Sequence, residues 1–147
     1  MVRSKSEIAD EENVSRILFS PSHIYEGRVS PKAFKLEMLK SGAEDYISVL
    51  RYDADQLEKM SSVFRPRKEG DTIYGYTSLL VQDIRSLDVE IDNRSVAVEP
   101  KPSKRLPYHA GIFLSLDGKI QTAEAVSPEI DYFQKELAML CNGVHRF

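Results

Sequence analysis

Thr72-Ile-Tyr-Gly-Tyr-Thr-Ser-Leu-Leu-Val-Gln-Asp-Ile-Arg85 is the stretch on which the fold class turns. β-Branched and aromatic residues dominate it, and such side chains fit a pleated, half-buried surface. It therefore reads as one long bent strand, or two, with Gly75 marking a bulge or bend where a missing side chain lets the backbone kink. A helix across 79–87 is the weaker alternative. Strand signals recur on both sides. Asn13-Val-Ser-Arg-Ile-Leu-Phe19 runs into Ser20-Pro21, and Tyr46-Ile-Ser-Val-Leu50 is compact and apolar. Val89-Glu-Ile-Asp92 and Ser95-Val-Ala-Val-Glu99 alternate apolar and polar around Asp92-Asn93, as in a hairpin with one wet face. Tyr108 to Leu116 ends at the turn dipeptide Asp117-Gly118.

Helices are fewer. Asp53 with Gln56 three residues on resembles a capping box, and Leu57, Met60 and Phe64 form one apolar stripe before Pro66. Ser127-Pro128-Glu129 opens a second helix with an N-cap, a proline at the first helical position and an acid in the first turn. Ile130, Phe133, Leu137 and Leu140 give its buried face, and Asn142-Gly143 reads as a left-handed cap. Two widely separated helices cannot build an alternating βαβ architecture. The expectation is an α+β fold, a mostly antiparallel sheet with two main helices at about 53–64 and 128–142. Residues 1–12 read as a mobile N-terminal tail and residues 13–147 as a single α+β domain.

The chain has 147 residues, 41% hydrophobic and 29% charged, with a formal net charge of −3. That balance disfavours a global attraction to nucleic acid or to an anionic membrane. The single cysteine, Cys141, precludes an intramolecular disulfide framework, and its place at a helix end reads as a buried structural thiol. The first twelve residues carry no apolar core of a signal peptide, and apolar runs are too short to span a bilayer. A cytoplasmic location follows as the expectation, with no membrane contact. His23, His109 and His145 lack the spacing of shared metal ligands, so neither a metal nor a cofactor is expected.

The polar residues gather in Ser20 to Phe34 and Tyr46 to Arg51. If the sheet brings these together, Ser22, His23, Arg28, Ser30, Ser48 and Arg51 can converge on one anion, arginine as a bidentate fork and serine as a neutral donor. The alternative is that Arg51 pins the Ser-Pro loop through its carbonyls. His109 sits at the mouth of a strand beside small Ala110 and Gly111, which admit a close neighbour, although a structural histidine also fits. Arg65-Pro-Arg-Lys68 and Lys101-Pro-Ser-Lys-Arg105 are short basic runs that read individually as solvated loops.

The segments Gly27-Arg-Val-Ser30, Ala33-Phe34, Ser48-Val-Leu-Arg51 and His109-Ala110 resemble those of a family of small uncharacterised bacterial proteins. The likeness spans about residues 16 to 112 and marks His23, Gly27, Ser30, Ala33, Phe34, Ser48, Arg51 and His109, with Pro31 where that family has a second serine. It implies no activity. A looser similarity to ADP-ribosyltransferase-like folds would assign His23 or Arg16, Ser48, and Glu99 or Glu124 to a nicotinamide dinucleotide site. The reading is thus a binding or accessory module whose loop 20–34 recognises an anionic small molecule or a protein partner. The rival is an enzyme acting on a nucleotide or nucleic acid.

Overall fold

A computed structural model describes residues 7–88, 93–125 and 127–147. Within them the strands are β1 (Asn13–Ser20), β2 (Ile24–Tyr25), β3 (Arg28–Val29), β4 (Met38–Leu39), β5 (Gly42–Ala43), β6 (Ile47–Leu50), β7 (Thr72–Leu80), β8 (Arg94–Pro100), β9 (His109–Leu116), β10 (Lys119–Ile120) and β11 (His145–Arg146). The α-helices are α1 (Ala54–Lys59), α2 (Val81–Arg85) and α3 (Pro128–Leu140). The fold is α+β.

Seven of these strands make one antiparallel sheet, in which β9 pairs with β8 along one edge and with β6 and β10 along the other, and the order continues β6, β1, β7, β11. Side chains alternate across it, so each face has its own core. One face carries Val14, Leu18, Val49, Leu79, Val98 and Ile112, covered by Phe133 and Leu137 of α3, Ile84 of α2 and Phe34 of a 3-10 turn at Pro31–Phe34. The other carries Ile17, Leu50 and Tyr52 against Leu57 of α1, with Phe64, Leu106 and Tyr108 closing over it.

Local signals account for the best-read elements. Asp53 accepts from the Gln56 N–H while the Gln56 side chain accepts from the Asp53 N–H, completing the capping box. The helix nevertheless ends at Lys59 and passes into a 3-10 turn at Ser61–Val63, short of the expected 64. Ser127 caps α3 by accepting from the Ile130 N–H. That helix stops at Leu140 with Cys141 extended, so Gly143 takes its positive φ of 84° three residues beyond the end and is not the cap.

Two expectations change. Residues 81–85 are helical rather than a continued strand, because α2 receives tertiary help at its first turn. The Val81 and Gln82 N–H groups donate to the Glu12 and Asp10 carbonyls, and Val81 and Ile84 are fully buried. The same contacts anchor residues 8–12, expected within a mobile tail, and Ile8 is itself buried in the main core. The expected hairpin partly lies on residues 89–92, outside the described residues, while 95–99 do form a strand.

Arg51 leaves the sheet at the end of β6 and makes a two-point pair with Glu12, Nε to Oε1 at 3.1 Å and Nη2 to Oε2 at 3.0 Å. Its side chain is 1% exposed and that of Glu12 11%. Arg51→Met should therefore lower unfolding stability by about 3 kcal/mol in urea titration, since it leaves a buried carboxylate stripped of this partner. A loss near zero would mean that the pair is not what holds the N-terminal segment.

β7 bulges where Leu18 faces Gly75 and Phe19 faces Ile73. A Cβ at Gly75 would sit 1.9 Å from the His145 carbonyl oxygen, so only glycine lets β11 close the sheet edge. Gly75→Ala should expose residues 145–147 to fast amide exchange and lower the melting temperature. Unchanged protection there would show that β11 tolerates the side chain.

Candidate functional site

β1 and β6 run together at Ser15 and Leu50 and then diverge. Into the opening reaches Arg16, whose Nε donates to the Ala33 carbonyl at 2.9 Å and whose Nη1 donates to the Ser48 carbonyl at 2.7 Å. The guanidinium thus joins the 3-10 turn to β6 where a strand ladder is lacking. Burial lowers its pKa to about 10, opposed by Glu44, so it remains charged at neutral pH.

A cavity of about 600 Å³ occupies the place where the strands part. This is the size of a small-ligand site. Its lining includes the apolar side chains of Ile17, Phe19, Leu50, Phe64 and Leu106. The lining is also basic: it includes the half-buried Arg16, Lys32 and Lys35, and from two loops Arg65, Arg67, Lys68 and Arg105, of which Arg67 pairs with Glu44 at 2.8 Å. Glu37 and Asp71 are the acidic members of the lining. The two basic runs, read separately as solvated loops, therefore border one cavity.

Of the residues expected to converge, Ser22, His23 and Ser48 line this cavity. Arg28 stands exposed on the β2–β3 hairpin, and Ser30 is buried, its hydroxyl capping the 3-10 turn through the Lys32 N–H. Arg51 pairs with Glu12 and does not border the cavity, and among the described residues it makes no hydrogen bond to the Ser-Pro loop. Arg16 serves the loop carbonyl instead. Glu99 lies on β8 outside this cavity and Glu124 is exposed in the loop before α3, so neither stands near Arg16, His23 and Ser48 as the looser similarity would need. Among the described residues no three His, Cys, Asp or Glu side chains come together as a metal site. Among the described residues no helix is long and apolar enough to cross a membrane.

His23 is held in one tautomer. Its Nδ1 accepts from the Phe19 N–H at 3.1 Å, leaving the ring proton on Nε2. Burial, aided by the nearby Arg16 charge and opposed by Asp71, pushes its pKa down to about 4. His109 sits diagonally from Ser48 on the neighbouring strand, since Ser48 faces Gly111 and Leu50 faces His109. Its Nε2 hydrogen-bonds the Ser48 hydroxyl, and its Nδ1 lies 2.9 Å from the Lys101 carbonyl. Burial lowers this pKa as well, against the raising effect of the Lys101 carbonyl. Tyr46 packs edge-on against the ring at 5.9 Å. The room beside Gly111 is taken by Tyr46, whose Cδ2 would stand 2.6 Å from a Cβ there. The Cys141 thiol, pushed up to about 11 by burial, donates to the Leu137 carbonyl and is chemically quiet.

The His23 geometry sets a pH dependence. Folded His23 gains a proton near pH 4, whereas in the unfolded chain it does so near 6.5. Below pH 6.5 the unfolded state binds the additional proton, so stability present above 6.5 is lost as pH falls toward 4. Urea unfolding at pH 7.5, 5.5 and 4.5 should show this decline, and His23→Gln should reduce it. An identical slope in the variant would place the lost stability elsewhere.

Compared with models of protein families, with curated proteins and with solved structures, the chain matches none of them.

Proposed function

We propose that this protein is a binding module for a small amphiphilic anion, held in the cavity between β1 and β6. The observation that carries this reading is the lining itself, which combines apolar side chains with seven Lys and Arg against two acidic residues. Among the described residues Arg67 alone of the seven is ion-paired, to Glu44. An apolar body on Ile17, Leu50 and Phe64 leaves water, while a phosphate or carboxylate head meets the arginine forks and lysine ammonium groups. The Ser22 hydroxyl supports it. Its oxygen is buried without a hydrogen-bond partner among the described residues, and Ser22 borders the same space. Buried oxygens ordinarily find a partner, and a ligand oxygen or water would supply it. The net charge of −3 does not oppose this, because the lining concentrates positive charge locally. An enzyme acting on nucleotides remains the second reading, favoured by the Ser48–His109 contact.

Anilinonaphthalene sulfonate and decyl phosphate serve as anionic probes, with octyl glucoside as their neutral counterpart. Titration followed by fluorescence or melting temperature should show binding of the two anions, weakening as salt rises, and much weaker binding of the glucoside. The double variant Lys68→Glu, Arg105→Glu should lose about tenfold in affinity for the anions, equivalent to about 1.4 kcal/mol. Equal affinity for neutral and anionic probes, or no effect of the double variant, would overturn the proposal.

A further inference from the structure

The geometry points to an esterase-type activity in this cavity, with Ser48 as nucleophile, His109 as its base and the Lys101 carbonyl orienting the imidazole. The assignment of the nucleophile stands on local geometry alone. The substrate class, an ester bearing both an apolar and an anionic part, rests on the binding reading above.

A carbonyl oxygen can only accept, so the His109 Nδ1 at 2.9 Å from Lys101 must carry the proton. In the neutral ring Nε2 then has a free lone pair, and that atom is the one hydrogen-bonded to the Ser48 hydroxyl. A nucleophile, a base within reach and a third group fixing the base is the arrangement by which serine is activated. Three further features favour reaction over a passive cross-strand contact. Ser48 belongs to the lining of the cavity, and His109 reaches its hydroxyl from the neighbouring strand. Burial holds the imidazole neutral near pH 7, as a base must be. The Arg16 guanidinium, also in the lining, is bonded to the carbonyl of Ser48 itself and sets a positive charge beside the reacting residue.

The step balances with water as co-reactant. Ser48 Oγ attacks the ester carbon while its proton passes to His109 Nε2. The bond to the alcohol oxygen breaks, and that oxygen leaves with the proton from Nε2. Water then attacks the acyl carbon, giving a proton to Nε2. The bond to Oγ breaks, Oγ recovers the proton, and a carboxylic acid departs.

An alkyl fluorophosphonate tests this directly, since the activated hydroxyl displaces fluoride and leaves a stable adduct. Intact-mass and peptide analysis should locate one adduct on Ser48 and none in Ser48→Ala. The labelling rate of the native protein should rise with pH and level off below the ordinary histidine pKa of 6.5. His109→Gln, which keeps an amide near both partners, should slow labelling by about a hundredfold or more. If that variant does not fold, the pH profile of the native protein decides. Absence of a Ser48 adduct in protein that still binds decyl phosphate would overturn the esterase inference and leave the binding reading intact. A Ser48 adduct without decyl phosphate binding would retain the nucleophile and reject the anionic substrate. A labelling rate that does not vary from pH 4.5 to 7, or equal labelling of folded His109→Gln, would remove His109 as the base.

Discussion

Arg16 is the residue on which the site depends. β1 is fully laddered to β7 on one edge, and on the other it meets β6 at Ser15 and Leu50 before the strands part. A parted sheet leaves carbonyls that must find donors, and a buried carbonyl without one costs about 1–3 kcal/mol. The guanidinium answers this with two directed donors, one to Ser48 and one to Ala33. It thereby sets the distance between β6 and the 3-10 turn, keeps the opening from collapsing onto the core, and brings a permanent charge to its wall. Burial opposes that charge, as the lowered pKa records, and the carboxylate of Glu44 offsets part of the cost. Lysine could not replace it, because a point charge cannot reach two carbonyls with a planar fork.

Much of the fold was legible because it rests on neighbours in sequence. Ser127, Pro128 and the stripe through Phe133 and Leu137 are all within one helix, and the structure forms it as those signals require. Gly75 likewise marked the bulge of β7, although the close approach of His145 that makes glycine necessary there is visible only in three dimensions. What was illegible was tertiary. α2 carries Val and Ile, good strand formers, but the carbonyls of residues 10 and 12 cap its first turn from seventy residues away. Nothing local pairs Arg51 with Glu12, thirty-nine positions apart. The sequence leaves an arginine at the end of a strand to an anion site or to the Ser-Pro loop, whereas the structure pairs it with Glu12 of the N-terminal segment.

The same distinction separates the site residues. His23, Ser48 and His109 stood out by type, as polar groups next to strands. Their relation needed the register, because placing Leu50 opposite His109 is what sets Ser48 diagonal to that ring. A shift by one residue would turn either side chain to the other face. The basic runs at 65–68 and 101–105 lie in exposed loops, yet Arg65, Arg67, Lys68 and Arg105 border one cavity. Charge counted along the chain could not disclose this, since an acidic total conceals a basic lining.

The site divides its labour between two kinds of nitrogen. Arg16 stays charged at neutral pH, although burial lowers its pKa to about 10. The two imidazoles are treated oppositely. Burial near Arg16 deprives both His23 and His109 of charge, leaving them as hydrogen-bonding rings with defined tautomers. His23 presents an Nε2 donor, having spent Nδ1 on the Phe19 N–H, and so can orient a ligand oxygen without adding charge. His109 presents the opposite face, an Nε2 acceptor, having spent Nδ1 on a carbonyl. The difference originates in which backbone group each ring meets, an N–H for one and a C=O for the other. Local backbone polarity thus makes one histidine a donor at Nε2 and the other an acceptor there.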